Sequence, residues 1–483
     1  MVQRGEKVQL RRAMGFTDLL LFFVMTGFSI RWIATAAAAG PSSIVIWVVA
    51  LFTFYVPLVF CVLELSSRYP EEGGLYVWSK RAFGEFAGFM TGWTYWSSNL
   101  VYFPAILYFA AGNALFVGGA RWQSLSDNAT YFIVSSLLGL SLATVLNVVG
   151  LDVGKWLHNV GAVCLWVPAL ILILMGIVAW IRFGAATSFS PAGFLPSIHI
   201  REIAFWSTIA FALAGVESAS VMGEEIKEAR RNIPRALLVA GVIIASTYVL
   251  GTMCLLLSLP HSQISGLQGI MQAIAKVGNR IGLGGISPIA AGLITISGLG
   301  TVGAWLAAVA RLPFVAGLDR VLPAAFGRLH PKWGTPHIAL WTQSWLAALF
   351  VLLGQAGTSV KGAYEVLVSM GVITYLIPFL SIFGAMIKLQ KEPTGPDVTR
   401  VPGGVVTAVL LSLLGLATTS AAIILALIPS ADEPNPGFAV AKIVGLTLLL
   451  IFVGAGLYAK GKQRRSKAIN VNDAKEEIHR ASR

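Results

Sequence analysis

VMTGFSIRWIATAAAAGP (24–41) is an apolar run interrupted by Thr26, Gly27 and Ser29 and then by a single arginine, Arg31. Glycine costs a helix about 1 kcal/mol relative to alanine. An arginine in hydrocarbon is expensive unless it snorkels to water or faces a cavity. A second stretch, FALAGVESAS (211–220), places small and hydroxyl residues in the same way midway along another apolar run. Small residues of this kind also let helices pack closely. Their matching positions favour a different reading, two spanning helices built to break near the bilayer midplane. An unwound turn frees backbone N–H and C=O groups. The positive end of the following half-helix suits a carboxylate, and freed carbonyls suit an ammonium group.

The rest of the 483-residue chain fits a membrane setting. It is 56% hydrophobic and only 12% charged, with a mean hydropathy of +0.76, unlike a soluble globule. Twelve apolar spans are predicted, at 15–39, 42–67, 84–117, 130–150, 158–183, 203–224, 234–259, 286–315, 336–355, 362–389, 403–429 and 437–459. They are long enough for helices and too long for the alternating strands of a barrel. No polar stretch is long enough for a separate soluble domain, and the basic start runs into the first span with no cleavage pattern. Most of the 35 Lys and Arg fall in segments on the N-terminal side of the spans. Both termini are therefore expected in the cytoplasm, in a cell membrane protein. The net charge of +13 then reflects topology, not a nucleic-acid surface. The basic tail (460–483) is expected to meet anionic lipid. Cys61, Cys164 and Cys254 lie inside spans, which argues against a disulfide framework or a metal site. The polar segment 262–282 between spans seven and eight is read as an outer-surface helix or lid, with a plain loop as the alternative. The charge run Glu224, Glu225, Lys227, Glu228, Arg230, Arg231 and Arg235 is read as a solvated loop or an inner latch against 68–74.

Four stretches carry a resemblance. They are ELSSRYPEEGGLYVWSKRAFGEFAGFMTGWTYW (64–96), FALAGVESASVMGEEIKEARRNIPRAL (211–237), GLGTVGAWLAAVARLPFVAGLDRVLPAAFGRLHPKWGTP (298–336) and AGP (39–41). In their order and spacing they resemble the amino acid–polyamine–organocation family of transporters. The resemblance implies an all-α polytopic membrane protein with twelve transmembrane helices. These form two inverted five-helix repeats (15–183 and 203–389) and two additional helices (403–459), between a cytoplasmic N-terminus (1–14) and the tail. It implies a secondary active transporter, not an enzyme, that needs no cofactor. Its partners are a small-molecule substrate, protons or a counter-substrate, and membrane lipid. Consistently, no GxxxxGK[ST] nucleotide loop is present.

Within that family the chain is similar to bacterial arginine–agmatine antiporters. By that likeness Glu217 is a proton-linked carboxylate, Phe211 covers the substrate, Trp305 stacks on it and Asn99 contacts it. The broken turns at Thr26, Gly27, Phe28, Ser29 and Ile30, and at Ala214, Gly215 and Val216, complete the expected substrate site. Three departures qualify the likeness. Only Gly27 remains of a Gly-x-Gly turn, no lysine lies midway along span five, and Arg31 has no counterpart. Arg31 is expected either to snorkel or pair structurally, or to gate the site and attract a carboxylate. A direct pair with Glu217 requires the unwound turns to close a gap of roughly 11 Å in depth. A fixed arginine would repel a cationic substrate. An amino-acid symporter or exchanger is therefore expected, ahead of a polyamine carrier and of an amino-acid-binding membrane sensor.

Overall fold

The computed structural model describes residues 14–71, 73–196, 200–218, 220–221, 226–318, 321–356, 359–393, 395, 398–428 and 436–481. Among these the chain is helical, with one isolated β-bridge between Met14 and Ile226. Span one is two helices, α1 (Phe16–Gly27) and α2 (Arg31–Ala38). Span two is α3 (Ser42–Ala50), a π-helical turn (Leu51–Tyr55) and α4 (Val56–Arg68). The short α5 (Leu75–Phe83) leads into α6 (Glu85–Ala114), and α7 (Ala120–Gln123) is a single turn. Then come α8 (Ala129–Val149), α9 (Leu151–Phe183), α10 (Ile200–Ala212) and α11 (Ala229–Ser258). The second half continues with α12 (Gly269–Arg280), α13 (Ile286–Val309), α14 (Arg311–Leu318) and α15 (His337–Gln355). The last are α16 (Val360–Leu389), α17 (Gly404–Leu425) and α18 (Pro436–Ala481).

Ten stretches of the described chain are long and apolar enough to cross a bilayer. Two of the twelve predicted spans are not among them. Span three is α6, which is 30 residues long but carries the polar stretch GWTYWSSN. Span six is α10, which stops at Ala212 after 13 residues because the chain unwinds there.

Burial separates the centre of the bundle from its periphery. In an apolar 18-residue window of the first span and of Ile286–Ala316, 78% is buried, against 28% in those of Gly404–Leu425 and Gly437–Arg465. Large apolar side chains such as Leu138, Ile181, Val242 and Trp345 are exposed, as lipid-facing positions require. Where α9 crosses α13, a Cβ on Gly161 would lie 2.8 Å from the Gly300 Cα. That contact admits only glycine and brings the two backbones together.

Several polar groups inside the bundle find partners within it. Asn147 Nδ2 donates to the carbonyls of Ala143 and Gly303 at 2.9 and 3.2 Å. At the end of the bundle holding Arg68 and Leu389, the Glu64 carboxylate accepts from Arg68, from Gln390 Nε2 at 2.8 Å and from the Val401 N–H at 2.9 Å. Beside it, the half-buried Glu392 accepts from the Tyr69 hydroxyl at 2.7 Å and from Arg81 Nε at 3.1 Å. The Tyr69 hydrogen bond, aided by Arg81, holds the Glu392 carboxyl below its ordinary range.

The segment read as an outer helix or lid does contain a helix, α12, with one apolar face (Ile270, Met271, Ile274, Val277) buried. It is tied to the end of α6 by Gln268 Nε2 on the Gly112 carbonyl and Asn113 Nδ2 on the Leu267 carbonyl, at 3.0 and 3.1 Å. In the charge run, Arg231 pairs with Glu228 at an exposed position. Glu224, Glu225 and Glu72, which the inner-latch reading involves, lie outside the described residues, as does most of the N-terminal segment.

Candidate functional site

The two broken helices meet. In span one, α1 ends at Gly27, and Phe28–Ile30 are not helical before α2 begins. In span six, the chain leaves α10 at Ala212 and turns at Gly215, whose φ is +114°. A Cβ at Gly215 would lie 2.4 Å from the Thr26 carbonyl oxygen. Only glycine permits both that torsion and that approach. Hydroxyls lock the contact. Ser218 Oγ donates within 2.9 Å of Thr26 Oγ1 and 2.6 Å of the Gly215 carbonyl, while Thr26 Oγ1 donates to the Phe22 carbonyl at 2.9 Å.

Tyr248 of α11 ties the two breaks from the side. Its hydroxyl accepts from the Ser29 N–H at 3.0 Å and donates to the Ala212 carbonyl at 3.1 Å. One side chain thus satisfies a backbone group from each unwound segment, which unwinding would otherwise leave unpaired. The ring is fully buried and stacks on Trp47 at 4.4 Å.

A small pocket opens at this junction. Of the expected substrate residues, Thr26, Gly27, Phe28, Ser29, Phe211, Ala214 and Trp305 line it. Ile30, Arg31, Asn99, Gly215, Val216 and Glu217 do not. Asn99 is fully buried, and its Nδ2 donates to the Tyr95 carbonyl one turn back along α6. Sequence reasoning passed over Trp32, Tyr102, Ala212, Tyr248 and Tyr375, which also line the pocket. Tyr102 had a signal, because it lies seven residues after Tyr95 and so on the same face of α6. Tyr248 and Tyr375 had none, since nothing in sequence separates them from other aromatics in spanning helices.

The pocket is walled by aromatics. Phe211 packs edge-on against Trp32 at 5.4 Å and against Tyr375 at 5.2 Å, and Trp305 packs edge-on against Tyr102 at 5.9 Å. The Trp305 Nε1 donor is buried with no hydrogen-bond partner among the described residues. In this conformation the space between the rings is about 10 Å³, room for about one water, so a small organic molecule fits only once these flat apolar walls move apart.

Two charged residues flank the pocket, one layer back. Glu217 is fully buried. Its Oε1 accepts from the hydroxyls of Tyr95 (α6, 2.7 Å) and Tyr375 (α16), and its Oε2 accepts from the Gly215 N–H at 3.0 Å. The carboxyl therefore joins the span-six break to two neighbouring helices.

Arg31 is the other. It is 1% exposed, so it does not snorkel. It makes no salt bridge with a described residue, and the direct pair with Glu217 is not formed. Its Nε and Nη1 are buried without hydrogen-bond partners among the described residues. The guanidinium packs 4.1 Å from the Trp32 ring centroid and 4.8 Å from that of Tyr102. The Tyr102 and Tyr364 hydroxyls lie beside it, and the Tyr364 hydroxyl also makes no hydrogen bond of ordinary geometry. Desolvated cation–π contacts return about 2 kcal/mol each. Burying an ion costs several kcal/mol. The two rings therefore offset only part of the cost of holding this cation.

Residues 14–453 match the amino acid permease family. The chain belongs to that family. It is 29% identical over 467 residues to an uncharacterized transporter of Legionella pneumophila, covering 93% of this chain and 97% of that protein. It is 23% identical over 378 residues to a probable agmatine/putrescine antiporter of Lactococcus lactis, covering 77% and 78%. It is 24% identical over 420 residues to a branched-chain amino acid permease of Bacillus subtilis, covering 83% and 85%. Membership makes this permease a polytopic membrane transporter. Its relatives are named for solutes as different as agmatine or putrescine and a branched-chain amino acid, so family alone does not choose the substrate.

Proposed function

We propose that the protein is a secondary active transporter of amino acids in the cell membrane, working by alternating access with both termini in the cytoplasm. In this reading α6 and the broken α10 join the ten apolar stretches to make twelve spans. Residues 15–183 and 203–389 form two inverted five-helix repeats, and 403–459 adds two helices. The observation that carries the reading is the contact of the span-one and span-six breaks at Thr26 and Gly215, beside an aromatic-walled pocket. Two half-helix ends meet at one place, and where substrate displaces their present partners they would offer N–H groups to a carboxylate and carbonyls to an ammonium group. A zwitterionic amino acid presents both.

Phe211 and Trp305 cover the substrate, and Trp305 Nε1 is free to donate to it. Rocking of one set of helices against the other exposes the pocket first to one side and then to the other. Glu217 is the proton carrier of this scheme. Its hydrogen bonds to Tyr95 and Tyr375 must rearrange when α6 and α16 move relative to the span-six break, which links its protonation to access. Exchange against a counter-substrate is the other source of energy. A polyamine carrier fits less well, because Arg31 sits directly behind the pocket wall.

Reconstitution tests the reading. Proteoliposomes holding the full chain are expected to accumulate a labelled amino acid from a pool of amino acids and polyamines, and to do so faster with an imposed pH gradient. Binding without accumulation or exchange of any solute would replace the transporter by a sensor, against the family assignment.

A further inference from the structure

The cation that the fold buries at the start of α2 is not explained by packing. Arg31 is 1% exposed and has two guanidinium nitrogens without partners among the described residues. The Tyr364 hydroxyl next to it is buried, in reach of the guanidinium and without a hydrogen bond of ordinary geometry. These donors come from different elements, α2 and α16, and α6 adds the Tyr102 hydroxyl. They converge on one place where Arg31 makes no salt bridge with a described residue, and the two phenol oxygens are the acceptors in its reach. Arg31 also occupies the first turn of α2, where the helix dipole is positive. The one carboxylate at the breaks, Glu217, is engaged by Tyr95, Tyr375 and the Gly215 N–H.

We infer that Arg31, Tyr102 and Tyr364 form an anion-binding subsite that opens onto the pocket between α2, α6 and α16. Trp32 and Tyr102 contact the guanidinium on one side and line the pocket on the other. A change of rotamer in either ring uncovers the cation to the pocket. The ligand chemistry is a monovalent anion. One source is the side-chain carboxylate of a dicarboxylic amino acid, whose backbone carboxylate and ammonium rest on the breaks. The other is a free inorganic anion such as chloride, bound alongside a neutral amino acid. A bidentate guanidinium–carboxylate pair with added phenol donors suits the first. The inference rests on the amino-acid reading above and narrows its substrate class.

The test uses proteoliposomes holding the full chain. Uptake of labelled L-glutamate is compared with that of its uncharged isostere L-glutamine, in chloride and in gluconate buffers. With a substrate carboxylate as the ligand, glutamate is preferred by about tenfold or more, the size of one good charge-assisted contact. Arg31→Gln brings the ratio to near one, and Tyr364→Phe lowers it. With a free anion as the ligand, glutamine is carried in chloride, weakly in gluconate, and Arg31→Gln removes that dependence. Wild-type protein that carries glutamine as well as glutamate, equally in both buffers, overturns the subsite while leaving the amino-acid transporter standing. Failure to carry any amino acid sinks both. The wild-type comparison and Tyr364→Phe keep the test decisive if Arg31→Gln does not fold.

Discussion

Gly215 and Thr26 touch backbone to backbone: a Cβ added at Gly215 would lie 2.4 Å from the Thr26 carbonyl oxygen, at a residue whose φ is +114°. This contact joins the two broken helices. Gly215→Ala meets both strain and a clash, each costing about 1–3 kcal/mol. The expected outcome is a folded but destabilised protein whose uptake falls by at least about tenfold. Parallel measurement of the melting temperature in detergent and of uptake checks it. Wild-type uptake by the alanine variant would show that the contact is incidental.

Tyr248 is expected to matter through its hydroxyl. Tyr248→Phe keeps the stack on Trp47 and removes the partner of the Ser29 N–H and the Ala212 carbonyl. Two buried backbone groups lose their hydrogen bonds, at a cost of about 1–3 kcal/mol each. Substrate affinity should weaken by about tenfold or more, because the breaks lose their shape. An unchanged affinity in a competition assay would remove Tyr248 from the support of the site.

Glu217→Gln is nearly isosteric: its amide oxygen still accepts from Tyr95 and Tyr375, while its Nε2 cannot accept from the Gly215 N–H. Under the proton-carrier reading, the variant retains substrate binding and exchange, while acceleration of uptake by a pH gradient disappears. Pyranine-loaded vesicles measure proton movement alongside labelled substrate. Persistent coupling in the variant would move the proton to another group.

Glu392 supplies a prediction on pH. Because Tyr69 and Arg81 hold its carboxyl below the ordinary range, the folded protein favours the ionised form. Its contribution is complete above the unfolded carboxylate pKa of about 4.3 and is lost as pH falls through the lower folded value. The pair is exposed, so the effect is small, under about 1 kcal/mol. Wild-type protein should melt higher than Glu392→Gln near neutrality by no more than about 2 °C, and the difference should shrink as the pH falls below about 4 and vanish below the folded value. A difference that persists in acid would contradict the ionic origin.

Much of the fold was legible because hydrophobic length and glycine placement are local signals. The runs around Gly27 and Gly215 announced two breaks, and both helices stop there, at Gly27 and Ala212. Residues adjacent in sequence to the breaks therefore reached the pocket, among them Ser29, Phe211 and Ala214. Tyr248, Tyr375 and Trp32 were not legible as lining residues, since their roles depend on which helices cross at the breaks. Arg31 was visible as an anomaly, but sequence depth alone allowed it to reach water. The structure buries it, because α6 and α16 bring Tyr102 and Tyr364 to its guanidinium. Asn99 shows the opposite error, since its amide turns back onto its own helix at the Tyr95 carbonyl.

The most direct test of the central claim is counterflow. Proteoliposomes holding the wild-type chain are preloaded with a mixture of unlabelled amino acids and placed in traces of each labelled one. The expected result is transient, saturable accumulation of at least one labelled amino acid, lower by at least about tenfold in Gly215→Ala and absent from protein-free vesicles. No accumulation of any amino acid above the protein-free level, from protein shown to be folded and inserted, would contradict it.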